Sequence, residues 1–258
     1  DKFTPTNSSF NQRRAQILPE AFEFLFHEFT NCFCKKDACY KGFRLIACDG
    51  SSLDISHNPA DKTTYFQSSP DVKGFNQLHL NALYDLCQRT YVDAEIQPGR
   101  QKNEDSAMCH MVDRYDGEKA IFIADRNYES YNIFAHVEQK GMYYLIRVKD
   151  IKSSGMLSGM KLPDTDSFDT EKTFILTRKQ TNAVKAEKEK YRFLPTKTTF
   201  DYLDLHTNKF YEMNMRIVRF PISQNSYECI ITNLPRDEFS YEEIKWLYQK
   251  RWGIETSF

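Results

Sequence analysis

"KAIFIADRNYESYNIFAHVEQKGMYYLIRVK", residues 119–149, is the stretch whose reading decides the fold. It reads strand, turn, helix, Gly141, strand. That order is a βαβ crossover whose first strand is buried and ends at Asp125. Upstream, "FRLIACDGSSLDI" (43–55) reads as an apolar strand broken by Gly50 and Ser51. "QLHLNALYDLC" (77–87) alternates, with Leu78, Leu80, Ala82 and Tyr84 on one side, and "TYVDAEIQPG" (90–99) follows after a tight connection. These two segments suit an antiparallel pair. "NEDSAMCHMVDRY" (103–115) suits a short helix.

Further upstream, Ala15, Leu18, Phe22, Leu25, Phe26 and Phe29 recur at helical spacing over about residues 12–30. Pro19 lies inside that stretch, so the helix either kinks there or restarts with Pro19 in its first turn. Downstream, residues 150–225 lose helical periodicity and show short β-like runs such as "KTFILT" and "KFYEMNMRIVRF". "YECIITNLP" (227–235) returns to a buried strand. "SYEEIKWLYQKRWGIETSF" opens with a capping box, Ser240 with Glu243, and continues as one helix. The fold class is therefore α/β, a mixed sheet flanked by helices.

A chain of 258 residues can bury a substantial core, and 40% hydrophobic with 28% charged residues is an ordinary globular mixture. No apolar run approaches the roughly 18–20 residues that span a membrane. The seven cysteines are odd in number and mostly sit in apolar segments, which points to reduced thiols rather than a disulfide framework. The net charge of -1 hides an uneven distribution: residues 141–220 carry 15 Lys+Arg against 10 Asp+Glu, and the remainder is acidic. A basic segment beside an acidic body fits a polyanion gripped next to a carboxylate-lined metal site, and it equally fits ordinary solvated charge.

Asp49 follows the buried run "FRLIAC", and Asp125 repeats the arrangement after "AIFIA". Taken alone, each reads as a turn former or cap. Ligands of α/β sheets gather where strands end, so two such aspartates can converge on one site. In "YQKRWGIE" (248–255), Tyr248, Arg251 and Glu255 fall within roughly 60° of one another at about 100° per residue, and form one polar face with an aromatic edge. Taken alone, Arg251 and Glu255 read as a solvated i,i+4 pair.

Three blocks in this order resemble the DDE transposases of bacterial insertion sequences, in the group marked by the signature Y-x-x-R-x-x-x-E-x-x-x-x-x-x-K. "IACDGSS" is similar to that family's first aspartate block, "IFIADRNYES" to its second, and "ITNLPRDEFSYEEIKWLYQKRWGIETSF" to the block leading into its glutamate. The resemblance covers about 43–258. It implies a ribonuclease H-like fold with a β-rich insertion before the final catalytic helix. It further implies that Asp49, Asp125 and Glu255 are the catalytic, metal-binding triad, with Tyr248 and Arg251 as accessory, DNA-facing residues. Trp252 beside them could be core or a platform for a base. The expected division is a helical segment 1–42, a first catalytic part 43–149, the insertion 150–225, and the last strand and catalytic helix 226–258.

Hard carboxylate oxygens suit two Mg²⁺ (or Mn²⁺) ions, which can activate a water or 3′-hydroxyl and stabilise the leaving oxygen. The expected function is hydrolysis of phosphodiesters at transposon ends followed by strand transfer to target DNA, by cut and paste. The expected partners are transposon terminal repeats and target DNA, with a homodimer in the DNA complex and no membrane. The expected location is the bacterial cytoplasm, associated with the nucleoid. An inactive DNA-binding remnant and a stand-alone metal-dependent nuclease are the alternatives. The signature lysine would fall at position 262, beyond Phe258, so a C-terminally truncated fragment with weak or no activity is expected. Asn127 stands where relatives often carry glycine, and asparagine tolerates a left-handed turn. "CFCKKDAC" (32–39) invites a zinc reading but lacks a second Cys/His pair at zinc spacing. "KAEKEKYR" (185–192) reads as a solvated face or a DNA contact, and Trp246 reads as core.

Overall fold

The structure, a computed structural model, describes residues 6–14, 16–33 and 39–258. Ten strands form one mixed sheet. They are β1 (Arg44–Ile55), β2 (Tyr65–Phe66), β3 (Phe75–Asp85), β4 (Thr90–Pro98), β5 (Ala120–Ala124), β6 (Tyr143–Val148), β7 (Phe168–Thr177), β8 (Tyr191–Phe193), β9 (Phe210–Ser223) and β10 (Ser226–Thr232). Their order is β2-β3-β1-β5-β6-β10-β9-β7-β8, with β4 on the same side of β3 as β2.

The βαβ unit stands as the sequence implies. β1, β5 and β6 run parallel, and α4 (Tyr131–Gln139) crosses between β5 and β6. All five residues of β5 are buried. A strand without a solvent face needs cover on both sides, and it has it. Phe122 and Ala124 pack with Ile133, Phe134 and Val137 of α4 and with Met108, Met111 and Val112 of α3 (Glu104–Arg114). Ile121 and Ile123 point the other way, against Ile244 and Leu247 of α6 (Tyr241–Gln249). Each such side chain, fully buried, contributes about 1.5–3 kcal/mol.

Two expectations are corrected. Gly50 and Ser51 do not break β1, because β3 pairs with it throughout, with Gly50 opposite Asn81 and Ser51 opposite Leu80. The strand loses only its other neighbour, since pairing with β5 stops at Cys48 and Ala124. Of the two readings of the N-terminal stretch the restart holds: α1 covers Asn7–Arg14, and α2 begins at Pro19 and runs to Phe33. Pro19 at a first helical position costs no hydrogen bond, which explains the restart. Phe22, Leu25 and Phe29 are exposed, while Phe26 is half-buried and the Thr30 hydroxyl donates to the Tyr91 carbonyl of β4. Ala15 and Cys34 lie outside the described residues.

The terminal helix is also interrupted. α6 begins with the anticipated Ser240–Glu243 capping box but ends at Gln249, and α7 covers Trp252–Glu255. Across the join the backbone tightens to i→i−3 bonds, from Lys250 N–H to the Leu247 carbonyl and from Arg251 N–H to the Tyr248 carbonyl. Gly253 lets α7 lie close to Leu86: a Cβ on it would fall 2.8 Å from Leu86 Cδ2, and that side chain would have to move. Residues 150–225 supply β7, β8, β9 and α5 (Asn182–Ala186), and these strands extend the same sheet beyond β10. Buried Arg216 and Arg219 on β9 fasten that extension through Asp169 and Asp150. No helix among the described residues is long and apolar enough to cross a membrane.

Candidate active site

Asp49 and Asp125 each follow the last residue of one parallel register pair, Cys48 opposite Ala124. Side chains alternate along a strand, so Asp49 shares a face with Leu45 and Ala47, and Asp125 with Ile121 and Ile123. That is the face covered by α6 and α7. The two carboxylates therefore emerge side by side at the carboxyl ends of adjacent parallel strands.

Local bonds orient both. Asp49 Oδ1 accepts from Gly50 N–H at 2.8 Å. Asp125 Oδ1 accepts from Asn127 N–H at 2.8 Å and so caps the short 3₁₀ turn Arg126–Tyr128. Asn127 lies inside that turn and is not left-handed, which corrects the expectation drawn from asparagine's tolerance.

α7 brings in the third carboxylate. Arg251 Nη1 lies 2.6 Å from Glu255 Oε1 and 3.9 Å from Asp49 Oδ2, and its residue is only 5% exposed. Burial raises the Asp49 pKa. The Gly50 N–H and Arg251 oppose that shift, while Asp125 and Glu255 add to it by like-charge repulsion. As the side chains stand, no three His, Cys, Asp or Glu among the described residues form a closed metal-sized cluster. Arg251 is the resident positive charge, held between Asp49 and Glu255.

Tyr248 lies beside Arg251, whose guanidinium carbon is 5.8 Å from its ring centre, but it is only 3% exposed and packs with Ile244 and Leu247 in the core under the sheet. Burial raises its pKa. Trp252 is 60% exposed, with the Arg251 guanidinium carbon 5.2 Å from its ring centre. Trp246 is not core: it is 40% exposed and packs at a tilt against Tyr40, ring centres 5.0 Å apart.

One contact was missed. His79 on β3 is buried, and its Nε2 would lie 2.6 Å from a Cβ at position 50. The imidazole thus packs on bare backbone next to Asp49, and Glu104 Oε1 stands 3.1 Å from the same nitrogen. The alternation His79, Asn81, Leu83 on one side of β3 carries that signal, but only once its partner strand is known.

Residues 40–258 match the family profile described as "Transposase DDE domain". The chain belongs to that family. None of the curated proteins matches the chain. Among solved structures, a piggyBac transposase synaptic complex with hairpin DNA, determined by cryo-EM, is similar at a TM-score of 0.45 and 10% identity. The similarity covers 84% of this DDE-domain chain and 40% of that one, so the chain spans less than half that protein's length.

Proposed function

We propose that this chain is the catalytic core of a cut-and-paste DNA transposase of the insertion-sequence type marked by the Tyr-Arg-Glu-Lys signature, on a ribonuclease H-like fold. The observation that carries the reading is the adjacency of Asp49 and Asp125 on parallel strands, with Glu255 tied to Asp49 through Arg251. The substrates are the phosphodiesters at transposon ends, and the acceptor of the freed 3′-hydroxyls is target DNA. Two copies acting on two ends, in the bacterial nucleoid, complete the proposal.

The donor set fits a hard divalent ion. Asp49 is a half-buried carboxylate whose pKa is raised by burial and then by its two acidic neighbours, a repulsion that a divalent cation relieves. Asp49, Asp125 and Glu255 would hold Mg²⁺ or Mn²⁺, which when bound supplies an activated oxygen nucleophile and a stabilised leaving oxygen. The chain's own groups do the positioning. Arg251 holds the Glu255 carboxylate beside the sheet end, and its fork is suited to a phosphate oxygen. Trp252 offers an exposed aromatic face on which a base can stack.

The test is nicking and strand joining on DNA carrying the sequences that flank the gene, with Mg²⁺ present. Asp49→Asn and Asp125→Asn should abolish nicking and leave folding and DNA binding near those of the parent, because phosphate contacts supply most of the affinity. Nicking without joining would favour a simple nuclease. Nicking that persists in both variants would remove these aspartates from the chemistry.

A further inference from the structure

Across α7 from Glu255 lies a cleft of about 610 Å³, between the β3–β4 turn and the helix. Arg89, Gln249 and Lys250 line it, and no carboxylate does. The nearby Asp85 is buried and fully engaged, by Arg44 at 3.1 Å and by the amides of Cys87 and Gln88. The Arg89 guanidinium makes no hydrogen bond or ion pair with any described residue. Buried Arg216 and Arg219 pair with carboxylates, whereas exposed Arg89, like exposed Arg126, has none among the described residues. Lys250 adds a second positive charge, its ammonium resting 4.6 Å over the Trp246 ring.

Arg89 also sits at φ 60°, a left-handed conformation that glycine or asparagine would adopt at less cost. Arg89 is exposed, so its guanidinium is held by solvent alone, and its backbone is the unusual feature of the turn. Both walls of the cleft are fixed. Gly253 lets α7 rest on Leu86, and Tyr91 of β4 bonds Ser257 at 2.8 Å.

We propose that this cleft seats a backbone phosphate of the DNA, gripped by Arg89 and supported by Lys250 and Gln249. The inference rests on the reading of the chain as a DNA-acting transposase and deepens it. A planar guanidinium matches two phosphate oxygens at once, and an acid-free cleft leaves that charge uncompensated until DNA arrives. The cleft and Glu255 stand about one helix diameter, ~10 Å, apart, which a strand covers in roughly three base steps. A phosphate held at Arg89 therefore sets where the strand passes the carboxylates.

The experiment measures binding to a mixed-sequence duplex of about 30 base pairs, without divalent ions, between roughly 50 and 200 mM salt. Arg89→Gly removes the cation and relaxes the turn, so its melting temperature should equal or exceed the parent's. The slope of log affinity against log salt should fall in magnitude by about 1, with several-fold weaker binding at low salt. Arg89→Lys keeps the charge and should restore the slope. An unchanged slope and affinity in Arg89→Gly would overturn the seat and leave the catalytic reading intact. A parent chain that binds no DNA would overturn both. A lowered slope in a protein that never nicks DNA would keep the seat and remove the catalysis.

Discussion

Arg251 and Glu255 make the shortest ion pair at the carboxylate site, 2.6 Å, and Arg251 is nearly buried while Glu255 is not. The arginine thus acts as a fixed post for a more mobile acid. Its Nε has no hydrogen-bond partner, so its fork is not saturated by the protein.

Arg251→Ala should release Glu255 and open a void beside Tyr248 and Asp49. The expected loss is about 1–3 kcal/mol of stability, read from urea unfolding. Arg251→Lys should recover part of the stability but little of the nicking rate, because an ammonium cannot reproduce the fork. Equal nicking by Arg251→Lys and the parent would deny the guanidinium any geometric role.

Asp49 should cost stability where it is charged. Burial, with Asp125 and Glu255, holds its pKa above the ordinary carboxylate range. A raised folded pKa favours folding most below the unfolded value, about 4, and the benefit is lost as pH rises through the folded pKa. Asp49→Asn should therefore melt above the parent near neutral pH and converge with it towards about pH 4. Adding Mg²⁺ should raise the parent's melting temperature more than that of Asp49→Asn. A variant that melts below the parent at neutral pH would contradict this account.

Glu138 gives a second pH signature away from the site. Burial lifts its pKa to about 7, with a bond from the Tyr144 hydroxyl opposing. Its contribution is present in acid and is lost as pH rises through about 7. Glu138→Gln should match the parent's melting temperature at about pH 5 and exceed it at about pH 8. A constant offset across that range would show that the carboxyl titrates normally.

Gly50→Ala should be destabilising despite lying in an extended strand. Its Cβ would fall 2.6 Å from His79 Nε2, and the strand is pinned by β3 on that side. The expected cost is about 1–3 kcal/mol, largely relieved in the double variant Gly50→Ala, His79→Ala. Additive costs in that double-mutant cycle would show that the two residues do not touch.

The buried run Ala120–Ala124, the crossover helix and the capping box at Ser240 were legible because each is written in neighbouring residues. So were the two aspartates, since an acid closing an apolar strand is conspicuous. The burial of Tyr248 beside Arg251 was not legible, because 100° arithmetic relates side chains to one another but does not say which of them meets the sheet. The close approach of α7 to Leu86 at Gly253, and the tight fit of Gly50 against His79, depend on tertiary neighbours. Both are contacts between residues far apart in the chain, and no local pattern announces them. The exposure of Phe22, Leu25 and Phe29 on α2 likewise follows from what the helix meets rather than from its spacing.

The join of β10 to β6 has a kinetic meaning. Asp49 and Asp125 meet as soon as β1 and β5 pair, but Glu255 arrives only when β10 has laid itself along β6 and α7 has docked. Some 130 residues separate Asp125 from Glu255, and closing a loop of that size from a flexible chain costs about 4 kcal/mol of entropy before any contact repays it. The site is thus completed by its most non-local contact, the kind that forms slowly. On the proposed reading, a chain that has paired β1 with β5 already holds its two aspartates, yet until β10 and α7 are in place it lacks the third acid with which to cut the DNA of the cell that is making it.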